Sequence, residues 1–553
     1  MIPAGATASP LTPVLDAWEA GALTPAEFAR MRALCGLHEQ RAGAWMLRLK
    51  APGGRIAPGQ WRSLACVVLA SGPRVTVHLT SRQAVEIHGL TLQGAGAAAS
   101  ALAGAHWSTR GSGGDGVRNV TVPALCGLLG GDAFDPYPYA EAFGTYFEGR
   151  EEFESLPRKF KVTFTTPASA EPGAYFHDLA FIADPAQGWE RGFRVLAGGG
   201  LGARPQAARE LRAFLPAGDA LRMGAAVARV WARSPRRQRS EGRLKHLVRI
   251  MGFEEFKREV EEMFHSQADP GLLQPSGYRG PQGRGGVYAP VKGAPGYSAW
   301  LESNARPQAG GGWWAVVRTR QGQLGGQDLA GLGEIALAMG LEELRLSSRQ
   351  QVYLPGLDTA CLPELHRRLD ELGLAQLGHD TLSDVCACPG PRVCNLGAAD
   401  PRSLARELAA SLSAASSDTG PVSLRVSGCA NSCCHHRAAD LGLQGLALKQ
   451  DGHWYPAFLL YAGGGGQGDQ AFGQAIGTFP AARVQPALRR LLEHHRSTRL
   501  DQEGLAPWLR RKRLELQIFL APFHDPEITE DAHFREIGAS TPFVPYARGT
   551  AQC

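Results

Sequence analysis

The sequence lacks the features of membrane and secreted proteins. Its 553 residues contain no run of about 18 apolar residues, so no helix is expected to span a membrane. The N-terminus, M-I-P-A-G-A-T-A-S-P, has neither the charged segment nor the continuous apolar segment of a secretion signal. We therefore predict a cytoplasmic protein that has no membrane partner.

No large excess of either charge is present. Lys and Arg exceed Asp and Glu by 58 to 52, and the net charge of +6 permits an acidic protein partner without requiring nucleic acid. The densest basic stretch, Arg233 to Arg249, leads into an amphipathic helix predicted near Phe253–Phe264 and has few interleaved aromatic residues. We interpret this stretch as a solvated helix face and predict no nucleic-acid partner.

Nucleotide-binding fingerprints are missing as well. The glycine runs within Phe193–Gly202 and Phe458–Gly468 match neither G-x-G-x-x-G nor G-x-x-x-x-G-K-[ST], and no nicotinamide or flavin fingerprint occurs. The composition, 44 % hydrophobic and 20 % charged, is that of a globular protein. The length predicts two to four domains.

Four of the eleven cysteines form two short pairs. Cys388 and Cys394 have a C-x5-C spacing, and Cys429 and Cys433 have a C-x3-C spacing. Four thiolates from two loops are what a cubane iron–sulfur cluster needs. Soft sulfur ligands also suit zinc, but structural zinc sites usually use the tighter C-x2-4-C spacing. The pairs therefore favour an iron–sulfur cluster.

Two alternatives stay open for these cysteines. The run Cys433-Cys434-His435-His436 adds nitrogen ligands that would suit zinc, and free cysteines can also be buried as small apolar residues. Without a secretion signal, the cysteines indicate a reducing compartment and metal binding rather than disulfides. The other seven cysteines have no paired spacing, and we interpret most of them as packing residues: Cys35, Cys66, Cys126, Cys361, Cys386, Cys434 and Cys553.

The chain repeats itself. Val77–Leu90 matches Leu344–Leu357, and both segments read as a strand that runs into T/S-S-R-Q. Upstream, Trp45–Lys50 matches Trp314–Arg320, with a helix-like stretch between the strands of each copy. A duplicated α+β unit is therefore predicted, with the Gly/Pro-rich span Pro270–Pro295 as the join. The predicted units are an N-terminal extension (1–24), a first half-domain (25–95), a first α/β domain (110–268), a linker (269–295), a second half-domain (296–360), a second α/β domain (380–500) and a C-terminal tail (501–553).

A basic constellation occurs only in the first half. Lys159 and Lys161 of L-P-R-K-F-K would project to the same face of a strand, where they repel each other unless an anion lies between them. With Arg48 and Arg118 they would form a positive cage for a small oxyanion or for cofactor carboxylates. The alternative is that each is a surface charge, since lysines and arginines are mostly exposed.

Several short motifs follow one another in an order that resembles one enzyme family. From about Gly36 to Arg499 the chain resembles the sirohaem-dependent sulfite and nitrite reductases. The motifs are M-L-R-L-K-A-P-G-G, L-T-S-R-Q, R-N-V, L-P-R-K-F-K, V-L-A-G-G-G-L-G, L-S-S-R-Q, C-x5-C and S-G-C-A-N-S-C.

The resemblance implies a fold and a set of site residues. The fold is α+β and internally duplicated, with a ferredoxin-like (parachute) domain built from both halves and two larger α/β domains. A [4Fe–4S] cluster would be held by Cys388, Cys394, Cys429 and Cys433, with Cys433 bridging cluster and sirohaem iron. Thr80, Arg82 and Asn431 would contact sirohaem. The open face, where substrate binds, would be ringed by Arg48, Arg118, Lys159 and Lys161.

Two positions depart from the family pattern. His78 stands where the family usually has arginine, and Glu86 stands where it usually has glutamine. Both changes would weaken the grip on sirohaem carboxylates, unless a protonated His78 compensates or the carboxylate is met elsewhere. The second copy keeps Arg345 and Arg349 without the lysine pair, and we interpret it as structural.

Sulfite and nitrite reduction each deliver six electrons and several protons to one small anion. The resemblance associates K-x-K with sulfite reductases and an asparagine at the second lysine with plant-type nitrite reductases. Sulfite at neutral pH is substantially a dianion and nitrite a monoanion, so Lys161 favours sulfite. We predict an assimilatory-type sulfite reductase, with a ferredoxin-type nitrite reductase as the alternative. The oxygenase of cobalamin-ring synthesis shares the cluster motif, but the chain length and the complete basic set favour a reductase.

An electron donor must come from outside the chain, because no nicotinamide or flavin fingerprint occurs. Ferredoxin or a flavoprotein that docks near the cluster is the predicted partner, and the enzyme is expected to be a monomer. An alternative from another class is a metal-stabilised binding protein descended from a reductase. Such a protein could keep the cysteines for folding while it loses the basic cage.

Overall fold

The structure is a computed structural model of the chain. It describes residues 9–167, 172–187, 190–233, 241–266, 275, 280–281, 294–413, 419–524 and 531–546. Most of the predicted join Pro270–Pro295, and Cys553, lie outside the described residues. No helix within these ranges combines the length and the apolar character needed to cross a bilayer.

The described chain contains both helices and strands throughout its length. The α-helices are α1 Thr12–Glu19, α2 Pro25–Leu34, α3 Pro58–Ala70, α4 Leu92–Gly104, α5 Tyr137–Phe147, α6 Glu151–Glu154, α7 Ala220–Ala232, α8 Leu244–Met251, α9 Phe253–Ser266, α10 Tyr297–Asn304, α11 Gly326–Ala338, α12 Leu362–Glu371, α13 Pro401–Leu412, α14 Ala481–Thr498 and α15 Leu505–Phe519. The strands are β1 Leu37–Glu39, β2 Trp45–Leu49, β3 Arg55–Ile56, β4 Thr76–Leu79, β5 Val85–Leu90, β6 Val162–Thr165, β7 Leu179–Gln187, β8 Glu190–Ala197, β9 Arg209–Pro216, β10 Ala305–Pro307, β11 Trp313–Val317, β12 Gln323–Leu324, β13 Leu344–Leu346, β14 Val352–Leu357, β15 Val385–Ala387, β16 Leu424–Ser427, β17 Leu441–Gln450, β18 His453–Ala462 and β19 Gln474–Pro480.

The duplicated halves build two matching antiparallel sheets. One has the order β1-β2-β5-β4-β12 and the other the order β10-β11-β14-β13-β3. Each sheet thus takes one strand from the opposite half: Gln323 pairs with His78, and Ile56 pairs with Leu344. One apolar core joins both halves, as the predicted ferredoxin-like domain requires.

The two central helices of this domain pack against each other. In α3 the apolar residues Trp61, Leu64 and Val68 recur at helical spacing and are buried. The Trp61 indole N–H donates a hydrogen bond of 2.9 Å to the Leu329 carbonyl of α11. The helix-like stretch predicted in each copy therefore forms the contact between the copies.

Each half also contributes a larger α/β unit. The first has the sheet β6-β7-β8-β9 and a core rich in aromatic residues, and the second has the sheet β15-β16-β17-β18-β19. Residues after Asp501 begin with α15, whose Trp508 lies in the second core, and end in irregular chain that reaches Tyr546. The exact domain limits predicted from the sequence stay a prediction.

Candidate active site

A cavity of about 520 Å³ lies where the ferredoxin-like domain meets both α/β units. Its wall contains all eight residues predicted for the substrate cage and for sirohaem contact: Arg48, Thr80, Arg82, Arg118, Lys159, Lys161, Asn431 and Cys433. The structure thus brings together residues from both halves of the sequence. Their individual roles stay predictions.

The T-S-R-Q segment forms a tight turn between β4 and β5. The Thr80 hydroxyl accepts hydrogen bonds from the backbone N–H groups of Arg82 and Ala84, at 3.2 and 3.0 Å. Gln83 has a positive φ of 58°, and its amide donates to the carbonyls of Val122 and Leu346. The fixed turn aims the Arg82 side chain into the cavity, where burial and the neighbouring Arg243 lower its pKa to about 10.

Arg48 enters the cavity from β2 and is held by Glu86 of β5. Two guanidinium nitrogens of Arg48, Nε and Nη2, donate to Glu86 Oε1 at 2.9 and 2.7 Å. The other Glu86 oxygen lies 3.2 Å from His88 Nε2. Burial alone would raise the pKa of Glu86, but Arg48 and His88 hold it well below its usual range. The carboxylate therefore stays charged and offsets the charge of Arg48.

Arg118 lies beside Arg48 and shares an acceptor with it. Both guanidinium groups donate to the Ser112 carbonyl, and Arg118 also donates to the Gly114 carbonyl at 2.9 Å. Arg118 is 5 % exposed, so its charge acts inside the protein. The two arginines form one side of the cage, with their positions fixed by backbone oxygens.

The lysine pair lies at the start of β6. The strand begins at Val162, and Phe160 between the two lysines forms a parallel β-bridge with Val117. Both lysine side chains line the cavity, in agreement with the prediction that they project to one face. Burial and then Arg118 lower the pKa of Lys159 to about 7. Burial and then Arg82 bring the pKa of Lys161 well below its usual range. An anion bound between the two lysines would favour their protonated forms.

In the basic stretch Arg233 to Arg249, residues 234–240 lie outside the described residues, and for two of the others the interpretation as a solvated face is wrong. Arg243 lines the cavity and pairs with the fully buried Asp178 at 2.9 Å. Lys245 is 3 % exposed and donates to the Leu201 carbonyl at 2.8 Å. The sequence could not predict these two buried positions, because it does not show which polar residues of the stretch face inward.

The cavity is also lined by basic residues that were not predicted from the sequence. The wall adds Arg158 and Arg204, so nine lysines and arginines line it together with two carboxylates, Glu86 and Glu241. Arg243 and Arg158 also have ion-pair partners outside the lining, Asp178 and Asp115. The remaining positive charge is costly in a cavity unless an anion compensates it. The cavity therefore fits a ligand with several carboxylates, as the resemblance to sirohaem enzymes implies.

Three of the four paired cysteines lie close together beside this cavity. Burial and then the neighbouring Cys433 and Cys429 raise the pKa of Cys388 to about 12. The Gly428 N–H donates to the Cys388 sulfur at 3.2 Å. Only Cys433 of the four also lines the cavity, among the residues described. It is thus placed to link the sulfur group with a ligand in the cavity.

In the described part of the chain, His379, Asp380 and Asp384 form a group of three potential metal ligands within 4.8 Å of one another, and none of the four paired cysteines belongs to it. The choice between zinc and an iron–sulfur cluster therefore depends on the family to which the chain belongs.

His78 lies at the position of the missing arginine. It is 2 % exposed, its Nδ1 lies 3.1 Å from Arg402 and its Nε2 lies 3.2 Å from the Gln350 amide. Burial and then Arg402 lower the pKa of His78 well below its usual range, which disfavours the charged ring. The hypothesis that a protonated His78 compensates stays a prediction.

The second copy of the motif has its charges cancelled. Arg349 pairs with Asp380 and Asp384 at 2.9 and 3.2 Å, and Arg345 pairs with Glu343 at 2.6 Å. Arg349 is the counterpart of Arg82, which lines the cavity of the first copy, and here its charge is compensated by two carboxylates. The contacts agree with the interpretation of the second copy as structural.

Comparison with known proteins gives matches along most of the chain. The family model for the nitrite and sulphite reductase 4Fe-4S domain matches residues 113–267. The model for the nitrite/sulfite reductase ferredoxin-like half domain matches residues 38–105 and again residues 306–372. Together the two models match more than half of the chain. The four cysteines lie outside the matched residues, so their assignment as cluster ligands stays a prediction.

Curated relatives cover both substrates. The chain is 29 % identical over 470 residues to a ferredoxin–nitrite reductase of Synechococcus elongatus, covering 81 % of this chain and 86 % of the relative. It is 24 % identical over 481 residues to a sulfite reductase [ferredoxin] of Mycobacterium tuberculosis, covering 84 % and 82 %. The solved structure of the Mycobacterium tuberculosis NirA protein superposes with a TM-score of 0.77 at 22 % identity, covering 91 % of this chain and 95 % of that chain. This last likeness is one of fold.

The duplicated domain, the basic cavity and the matched family models agree with one another. A binding protein that had lost its cage, the alternative from another class, does not fit a cavity whose basic set is complete. The chain belongs to the nitrite and sulfite reductases, oxidoreductases that use sirohaem and a [4Fe–4S] cluster.

Proposed function

We propose that the enzyme reduces sulfite to sulfide with six electrons from ferredoxin. The observation that carries the choice of sulfite is Lys161, a second buried lysine that faces the same cavity as Lys159. A dianion gains more than a monoanion from each added positive charge at close range. The relatives named as ferredoxin-dependent support ferredoxin as the donor.

In this proposal the cysteines and the basic cavity hold the cofactors. Cys388, Cys394, Cys429 and Cys433 would bind the cluster, and Cys433 would also reach the sirohaem iron. Thr80, Arg82 and Asn431 would contact the sirohaem macrocycle or its carboxylates. The bound cofactors would carry the electrons from ferredoxin to the anion and provide the metal site that binds it.

The remaining basic residues bind the anion and move protons. Arg48 and Arg118, fixed on the Ser112 carbonyl, would orient the oxygen atoms of the substrate. Lys159 has a pKa of about 7, which suits a group that must donate a proton near neutral pH and regain it from solvent. Lys161 adds attraction for the second charge of sulfite.

The substitution Lys161→Asn tests the choice of substrate. We expect the ratio of kcat/KM for sulfite to that for nitrite to fall by at least about tenfold, because one positive charge near the anion is lost. Both substrates would be measured in one preparation with reduced ferredoxin. Lys257→Asn, the same charge change on α9 away from the cavity wall, should leave the ratio unchanged. A wild-type preference for nitrite, or an unchanged ratio in Lys161→Asn, would contradict the proposal.

Nitrite is the second candidate because of one specific contact. Glu86 offsets the charge of Arg48 inside the cavity, which lowers the net positive charge available to a dianion. A monoanion needs less compensation, so this pair favours nitrite. The relative at 29 % identity is a nitrite reductase by name.

The substitution Glu86→Gln measures the effect of this pair. The amide keeps the shape of the side chain but removes its negative charge. The positive charge of Arg48 is then no longer offset, and its attraction for an anion increases. We expect the sulfite-to-nitrite ratio of kcat/KM to rise by about tenfold. Glu154→Gln breaks a similar pair with Arg110 outside the cavity wall and should leave the ratio unchanged. A ratio that stays constant in Glu86→Gln would show that Glu86 does not set the charge preference.

A further inference from the structure

Two cysteines outside the predicted ligand set lie side by side next to the cluster loops. Cys386 is in β15, two residues before Cys388, and Cys434 directly follows Cys433. Both are buried, with 2 % and 1 % of their surface exposed. The two thiols are neighbours, and each influences the pKa of the other. They come from segments that are far apart in the sequence, so the fold creates the pair.

Separate contacts place both sulfurs against the same turn. The Cys386 sulfur lies 3.2 Å from the Arg349 carbonyl, and the Cys434 sulfur lies 3.8 Å from the Gln350 side-chain oxygen. That oxygen also accepts the Ala387 N–H at 3.1 Å, one residue after Cys386. The S-S-R-Q turn of the second half thus holds the two thiols within reach of each other.

We propose that Cys386 and Cys434 form a dithiol that hydrogen peroxide oxidises to a disulfide. Peroxide transfers one oxygen to the first sulfur, which becomes a sulfenic acid as water leaves. The second sulfur then attacks the first, so that the S–S bond forms, the S–O bond breaks and a second water leaves. Two thiols and one peroxide give one disulfide and two waters.

The pairing decides how far the oxidation goes. A sulfenic acid beside a second thiol is converted to a disulfide, which thiol reductants reverse, whereas an isolated one proceeds to irreversible sulfinic acid. The disulfide would tie β15, which leads to Cys388, to the loop that carries Cys429 and Cys433. The two loops with the predicted cluster ligands would then stay joined even when the cluster is absent.

Peptide mapping of the cofactor-loaded enzyme tests the proposal. The enzyme is exposed to hydrogen peroxide, denatured in N-ethylmaleimide and digested with trypsin, which releases peptides 369–392 and 426–437. Fragmentation by tandem mass spectrometry identifies the joined sulfurs, since both peptides also contain predicted cluster ligands. We expect the Cys386–Cys434 cross-link to rise at least about tenfold over untreated enzyme and to vanish after dithiothreitol.

Single variants separate the pair from general oxidation. Cys434→Ala should lose the cross-link and accumulate sulfinic acid on Cys386, whereas Cys35→Ala, a buried thiol of the ferredoxin-like domain, should keep it. Wild-type enzyme in which Cys386 and Cys434 both carry N-ethylmaleimide after peroxide would overturn the proposal. Cross-links that join only the predicted ligand cysteines would overturn it as well.

Discussion

Replacement of Cys433 by alanine is expected to abolish reduction of both sulfite and nitrite. Of the four paired cysteines, Cys433 is the one that lines the cavity and also lies near Cys388, within the part of the chain that the structure describes. A single sulfur in this position would couple the two cofactors, and no other paired cysteine can take its place. We expect the variant to lack the absorption bands and the electron paramagnetic resonance signal of the coupled centre.

The adjacent residue provides a matched control. Cys434→Ala removes a thiol of the same size one position along the chain, but that thiol faces Cys386 and Gln350 rather than the cavity. Its spectra and its turnover should match those of the wild-type enzyme. Full activity in Cys433→Ala would show that another residue links the cofactors.

The second large effect is expected for Lys159→Met. The side chain keeps its length but loses the proton, so kcat with nitrite should fall by about 10² to 10⁴-fold, the usual contribution of a positioned acid. Sirohaem absorption should be retained, because Arg82 and the other basic residues of the cavity remain. A loss of the sirohaem band in step with activity would instead assign Lys159 to cofactor binding.

The pH profile gives an independent measure of Lys159. Burial and Arg118 lower the pKa of Lys159 to about 7, so the protonated form is lost as the pH rises through neutrality. The kcat/KM for nitrite, whose charge is constant in this range, should therefore fall on the alkaline side. The arginine of Lys159→Arg keeps its proton at much higher pH, so the alkaline fall in kcat/KM should shift to higher pH. An alkaline limb at the same pH in Lys159→Arg would show that another group titrates.

The order of the short motifs allowed the basic residues of the cage to be predicted from the sequence. The T-S-R-Q turn fixes its own geometry through Thr80 and Gln83, so a short local pattern carries the position of Arg82. The cysteine spacing predicts the sulfur group for the same reason, since the ligands of each pair lie on one loop. Features that depend on neighbouring residues in the chain can be predicted without knowledge of the tertiary fold.

Other parts of the site depend on contacts between distant segments. Arg243 and Lys245 face inward because α8 packs into the core of the first α/β unit, where Asp178 and the Leu201 carbonyl accept their hydrogen bonds. Glu86 was seen as a departure from the family, but its pairing with Arg48 follows from the register of β2 and β5. These contacts cannot be predicted from the pattern of charges along the chain.

The exchange of β3 and β12 between the two halves has a consequence for how the protein is made. During synthesis the first sheet can pair β2, β5 and β4 early, but its edge at His78 stays open until Gln323 leaves the ribosome. Pairings between residues so far apart in sequence close slowly, and an open strand edge can pair with other chains in the meantime. Nascent chains that stop before β12 are therefore expected to aggregate more readily than the complete chain.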